Sequence, residues 1–474
     1  MSISHYHPVH SRILSSSRWF FPILLVFGLL LAEVASLTQL GRAAQVIAGC
    51  LLGVGIVAAW RSPARDSRFD LWAAGLSMML HFASVVYAIP IVRAHYGLSG
   101  DDTAMYYNLA KGIAASLVAG PTGVEQLLAS TMKFSTAAFS QLWGVLYLFT
   151  GGSYTAIAVL FAWLGTVGSY WFIKAFEPFL APRYWRWYVL LTMAMPSILF
   201  WTSWPLKDTV TYSTLGLLTY GLSLILRGRT WTGLTSISVG GALCFVVRPY
   251  FGFFYGVPLL VSMGWYGTTT LRAGGVKRIS GTLFVSAMAA VLLWYVVSNN
   301  FFLGIQLGPK GIAWLQRYQA GAGSGGSALP SPTLGTPVPA AAAGAPLVSS
   351  AERIIQFLVV RVSYLFDVLF RPMPWEARSL FALLTSIENV ALLFLTIGIL
   401  WSLNTIMREI ARTPLLLFSA LLAVLFALVF SLQVVNLGSM VRLKVNLLPF
   451  LLPFTCFAIE RTWAGIIGRS GHSG

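Results

Sequence analysis

What most constrains this chain is the recurrence, from Phe20 to the C-terminus, of apolar stretches long enough to cross a lipid bilayer. A hydrocarbon core of about 30 Å takes roughly 20 mainly apolar residues, and inside it each backbone polar group must be paired within its own segment. Candidate spans fall near 20–40, 43–60, 70–92, 187–203, 209–226, 234–247, 250–266, 281–298, 379–402, 415–432 and 446–462. Segments 134–150 and 153–173 are both apolar, yet only one can cross fully if the basic cluster after them stays cytoplasmic. The count of about twelve predicts an all-α polytopic membrane protein with outer-facing loops and interfacial helices.

Composition agrees: 57% of residues are hydrophobic and 9% charged, against about 25% charged in a soluble domain. The formal charge of +17 would suit nucleic acid, but the cations sit in short clusters beside apolar segments rather than on one soluble face. That arrangement is a topology signal and excludes a nucleic-acid partner. The clusters Arg61/Arg65/Arg68, Lys174/Arg183/Arg186, Arg227/Arg229, Arg272/Lys277/Arg278 and Arg408/Arg412 read as cytoplasmic, as do both termini. Segment 20–40 leads straight into another apolar run, so it reads as an anchor rather than a cleaved signal.

The predicted organisation is an N-terminal transmembrane region, 1–298, with an acidic outer loop at 93–133, then an outer loop at 299–378 and a C-terminal transmembrane region at 379–474. Within the second loop, 320–350 is almost wholly Gly, Ala, Ser, Pro and Thr, a composition that cannot bury a core and is expected to be disordered. Cys50, Cys244 and Cys456 lie far apart in apolar segments and read as inert.

Chemistry-bearing residues gather on the face opposite the basic clusters. Asp101 and Asp102 open a helix-like run from Thr103 to Leu117, with Tyr106 one turn beyond Asp102. A carboxylate there can take the proton of an acceptor hydroxyl, and it can equally cap the helix. Lys207-Asp208 interrupts hydrophobic sequence at a turn between helices; adjacent residues face different ways, so the two expect separate partners, a phosphate for Lys207 and a sugar hydroxyl or another cation for Asp208. The plain alternative is a snorkelling lysine at an interfacial turn with belt tryptophans.

Arg248, Arg371, Arg442 and Lys444 add cations where the positive-inside rule disfavours them, with Glu376 close to Arg371 in sequence. Around one cavity they would hold a phosphate or pyrophosphate; otherwise they pair with Asp367, Glu376 or the two Asp residues. His95 reads as a loop residue. No HExxH, Walker, GxGxxG or GxSxG motif is present, and charged residues are too few within the predicted spans to suggest a proton relay.

In these residues the chain resembles the GT-C superfamily of membrane glycosyltransferases, the group containing protein O-mannosyltransferases and the lipid A aminoarabinose transferase. The likeness runs over residues 70–260: the acidic outer loop with Asp101, Asp102 and Tyr106, an interfacial helix and span over 134–174, and the outer turn Pro196 to Asp208. Two spans precede the acidic loop where the family has one, and no soluble C-terminal domain follows. The stretches Arg371 to Glu376 and Asn436 to Lys444 look instead like outer motifs of bacterial polysaccharide-cluster membrane proteins, including polymerase-like ones.

The resemblance implies an enzyme of the bacterial inner membrane, active on its outer side in cell-envelope or exopolysaccharide synthesis. It would transfer a sugar from a polyprenyl-phosphate donor to a glycan, lipid or protein acceptor, with no cofactor and no metal. Asp101 or Asp102 would act as base, and Tyr106, Lys207, Asp208, Arg248, Arg371, Glu376, Arg442 and Lys444 would bind the donor. An O-antigen-type polymerase or ligase, and a lipid or polysaccharide transporter, remain the rival expectations.

Overall fold

The computed structural model describes residues 67–85, 102–119, 134–272, 365–377, 380–433 and 437–470, and the regular structure among them is helical. The predicted spans near 20–40, 43–60 and 281–298, together with Asp101, His95 and the 320–350 tract, lie outside these residues. Two compact units are distinguished: Met1–Ala129 with Ser140–Trp163, and Ser130–Phe139 with Leu164–Gly474.

Helices α1 (Ser67–Ala83) and α2 (Asp102–Ala119) belong to the first unit. Also helical are α3 (Phe134–Phe149) and α4 (Tyr154–Phe176), joined by a tight turn in which Gly151 and Gly152 take positive φ of 59° and 79°. In the first unit an aromatic cluster of Tyr106, Tyr107, Trp143, Tyr147, Tyr154 and Phe161 ties α2 to these helices. Tyr107 Oη donates to Gly152 O at 2.7 Å, closing that turn against α2.

The second unit continues with α5 (Pro182–Ala194), α6 (Pro196–Ser203), α7 (Lys207–Leu226), α8 (Thr230–Val247) and α9 (Pro249–Arg272). Further along the chain come α10 (Leu380–Trp401), the short amphipathic α11 (Leu403–Arg412), α12 (Pro414–Gln433), α13 (Leu437–Lys444) and α14 (Leu448–Ser470). Among the described residues, five stretches are long and apolar enough to cross a membrane: α4, α7, α8, Ala382–Trp401 and Pro414–Ser431. Of the ambiguous pair, α4 with 23 residues has the length to cross, whereas α3 has 16.

The expected single span at 187–203 is two short helices instead. Proline disfavours helical backbone in the residue before it, and Met195 is extended (φ −65°, ψ 123°) where Pro196 starts α6. Small residues set the α7–α8 hairpin: a Cβ on Gly233 would stand 2.6 Å from Gly221 O, so the two backbones touch where neither carries a side chain. The reversal uses Gly228 at φ 81° between exposed Arg227 and Arg229. Beyond it, α9, α12 and α14 interlock through Phe251, Phe418, Phe426, Phe430 and Phe450, with ring centroids 5 to 6 Å apart among buried partners.

This connectivity sorts the charges. The α7–α8 hairpin puts Arg227 and Arg229 at one end and Lys207, Asp208 and Arg248 at the other. Between α10 and α12, exposed Arg408 and Arg412 sit at the end opposite to Glu376 and Arg442.

Candidate functional site

The start of α7 is fixed by polar bonds around a turn. Leu206 is extended, and Thr209 Oγ1 donates to Trp204 O at 2.5 Å, so Lys207 and Asp208 enter the first helical turn side by side. An acid in that position is favoured by the helix dipole. Asp208 is fully buried and accepts from two arginines, Arg248 Nη2 on Oδ1 at 2.6 Å and Arg442 Nε on Oδ2. Arg248 caps the C-terminal end of α8 and reaches Asp208 because the hairpin returns α8 to the end where α7 began. Lys207 turns elsewhere, donating to Thr136 Oγ1 at 3.1 Å with its ammonium 6.0 Å from the centre of the Phe139 ring. The expectation of separate partners for the two neighbours therefore holds.

A second group surrounds the one-turn helix at Pro374–Glu376. Glu376 accepts from Arg371 through both oxygens, Nε donating at 3.1 Å, and from the Met373 backbone N–H at 2.8 Å, while Asp367 stands 3.6 Å from Arg371. Burial opposes ionisation of Glu376, but the Arg371 and Met373 hydrogen bonds outweigh it and hold its pKa below the usual value. For Asp367 burial prevails and the pKa rises. The bond to Glu376 raises that of Arg371 still further.

Asn389 joins the groups. Its Nδ2 donates to Pro372 O at 3.0 Å and its Oδ1 accepts from Lys444 Nζ, while the neighbouring Glu388 accepts the Ser197 N–H through Oε2 at 2.6 Å. Lys444 shares α13 with Arg442, so contacts run continuously from Arg371 and Glu376 through Asn389 and Lys444 to Arg442, Asp208 and Arg248. Burial lowers the pKa of Lys444 to about 8, against the charge of Glu388, which raises it. Around Asp208 two guanidiniums, Arg248 and Arg442, share one carboxylate at a buried helix end, with Lys207 next to it in the chain. Clustered cations favour an anion, and burial strengthens the attraction.

The chain matches no family model, no curated protein and no solved structure. Its site is therefore read from its own geometry.

Seven of the expected donor-site residues, Lys207, Asp208, Arg248, Arg371, Glu376, Arg442 and Lys444, belong to the second unit. Six fall on the chain of contacts just traced, and Lys207 adjoins it through Asp208. Asp102 and Tyr106 belong to the first unit: Asp102 is exposed as the first residue of α2, and Tyr106 is buried against Trp143 at 6.4 Å between ring centres. Among the described residues no cluster of three His, Cys, Asp or Glu could hold a metal ion.

Glu388 and Asn389 are additions that sequence reasoning missed. The signal was a lone acid and amide, side by side, inside the apolar run of α10, and an ionisable residue within a span is worth attention even when solitary.

Proposed function

We propose that this chain is a membrane glycosyltransferase of the GT-C kind, taking a sugar from a polyprenyl-phosphate donor on the non-cytoplasmic side of a bacterial inner membrane. The observation that carries the reading is the cluster of cations about buried Asp208, linked to Arg371 through Lys444 and Asn389. It lies at the ends of α7 and α8 away from Arg227 and Arg229, which supports an outward-facing site.

In this reaction the bond between the sugar C1 and the phosphate oxygen breaks and its electron pair stays on the phosphate. Lys207, Arg248, Arg371 and Arg442 stabilise that developing charge electrostatically. The acceptor hydroxyl, on a glycan, lipid or protein, attacks C1 and gives its proton to a carboxylate, a role for which the sequence resemblance offers Asp101 or Asp102. Full-length protein in proteoliposomes, given polyprenyl-phosphate sugars and an acceptor glycan, is expected to release polyprenyl phosphate, and Asp101→Asn with Asp102→Asn to abolish release. Intact transfer by that double variant would remove the two acids from the mechanism.

The linkage of Arg371 and Arg442 within one network favours a second reading, a polymerase or ligase acting on a pyrophosphate-linked oligosaccharide. Under it, replacing those two arginines stops the reaction while the Asp101 and Asp102 changes are tolerated. Movement of either lipid across the vesicle without cleavage would indicate a transporter.

A further inference from the structure

Four exposed arginines at the end of the second unit away from Asp208 take no part in that network. Two hydrogen bonds tie their elements together, both from consecutive residues of α9: Tyr266 Oη donates to Leu226 O at 3.5 Å, and Trp265 Nε1 to Ala411 O at 3.3 Å. Leu226 is followed by Arg227 and, past Gly228, by Arg229; Ala411 is followed by Arg412, with Arg408 one turn earlier on α11. The α7–α8 turn and α11 carry one acid between them, Glu409, 3.6 Å from Arg412. The Arg412 side chain is 67% exposed, so water screens that pair. Among the described residues no carboxylate pairs with Arg227, Arg229 or Arg408.

The residues of α11 divide as those of a helix lying along a membrane surface do. Leu403, Ile406, Met407 and Ile410 fall on one stripe, and Asn404, Arg408 and Arg412 on another. Ile406 is buried, while Leu403 and Met407 are 46% and 55% exposed, so part of the apolar stripe is left uncovered beside the cations. The helices on either side, α10 and α12, both contain candidate spans, so α11 begins and ends at the same membrane surface. Set upright, its ten residues would carry Pro414 about 15 Å into the bilayer and leave α12 too short to cross. Trp265 and Trp401, both exposed at this end, are residues that favour the headgroup level.

We propose that α11 and the α7–α8 turn form a docking surface for anionic phospholipid, with Leu403 and Met407 among the acyl chains and Arg227, Arg229, Arg408 and Arg412 on the headgroup phosphates. The surface asks for an occupant that is apolar at one end and anionic at the other. A free phosphate or an acidic soluble protein meets only the second demand. Guanidinium matches phosphate in shape and charge, and four arginines against one acid select a headgroup of net negative charge over a zwitterionic one, whose ammonium they repel. The positive-inside rule puts this surface on the cytoplasmic leaflet. The inference is independent of the chemistry at the Asp208 end.

The test reads the lipid composition beside α11. Full-length protein carrying Cys50→Ser, with Cys244 and Cys456 buried, is labelled with a fluorophore at Met407→Cys and reconstituted in phosphatidylcholine vesicles holding a minor share of phosphatidylglycerol. Quenching is measured with either lipid brominated near the headgroup end of its chains. A label at Val239→Cys, on the exposed side of α8 between its ends, reports the general lipid shell. Phosphatidylglycerol is expected to be enriched about fivefold at Met407→Cys relative to Val239→Cys, the worth of one basic residue at an anionic surface. Replacing Arg227, Arg229, Arg408 and Arg412 together by glutamine should bring that ratio close to one. Unchanged quenching at Val239→Cys in the same variant guards against misfolding. Equal composition at the two labels, or an enrichment that survives loss of the arginines, overturns the proposal. So does an absence of quenching at Met407→Cys by either lipid, because α11 is then covered by protein or stands in water.

Discussion

Replacing Asp208 by asparagine keeps the shape of the side chain and removes the charge that two arginines share. The carboxylate is fully buried, and the side chains of Arg248 and Arg442 are 9% and 22% exposed, so little water is at hand to take over. Removing one partner of a buried ion pair costs about 3–5 kcal/mol, chiefly because the other charge is left uncompensated. Here two arginines lose the carboxylate they share, and Arg442 is partly exposed, so a loss of about 4 kcal/mol is expected. Arg442→Met should cost only about 1–2 kcal/mol, because Arg248 continues to balance Asp208.

The assay is reversible denaturation of the purified protein in mixed micelles, followed by tryptophan fluorescence, on wild type, each single variant and the double variant. The double variant isolates the Asp208–Arg442 coupling, expected at about 1–3 kcal/mol for groups in contact. Inorganic phosphate supplies a second readout. It should restore part of the Asp208→Asn loss by binding the two released guanidiniums, with a gain of about 2.7 kcal/mol at a hundred times its dissociation constant. If Asp208→Asn is no less stable than Arg442→Met, or phosphate does nothing for it, Asp208 is not balancing two buried cations and the charge argument for the site collapses.

Two further outcomes follow from the packing and the titration. Gly233→Ala should destabilise by about 1–3 kcal/mol through overpacking, since its Cβ would stand 2.6 Å from Gly221 O, whereas Gly112→Ala, with nothing within 4 Å, should stabilise by about 0.5–1 kcal/mol; the same denaturation assay separates them. Because the folded pKa of Lys444, about 8, lies below its ordinary 10.5, the unfolded chain binds more protons between those values; stability should therefore rise as pH climbs through that window, and Lys444→Met should remove this rise.

How much of this could be read from the sequence varies with how local the physics is. Transfer of apolar residues into lipid is decided within one segment, so α4, α7, α8, α10 and α12 were legible as candidate spans, and the helix at Asp102–Ala119 as a run starting near Thr103. The break at Met195 was legible too, in Pro196, but continuous hydrophobicity over 187–203 masked it. Lys207 and Asp208 could be assigned separate partners because adjacent helical residues diverge, yet nothing in the sequence named those partners.

Composition and apolar periodicity by themselves determined that this is a helical membrane protein whose exceptional polar residues keep away from the basic turns. Only the tertiary structure decided the pairing: Asp208 meets Arg248 across 40 residues and Arg442 across 234, and Asn389 meets Lys444 across 55. Those contacts depend on which helices pack together and at what depth their ends lie. Small residues such as Gly221 and Gly233, and the aromatic interlock of α9, α12 and α14, set that packing through close approach between segments distant in sequence. Hydropathy, which scores each segment alone, carries no record of such contacts.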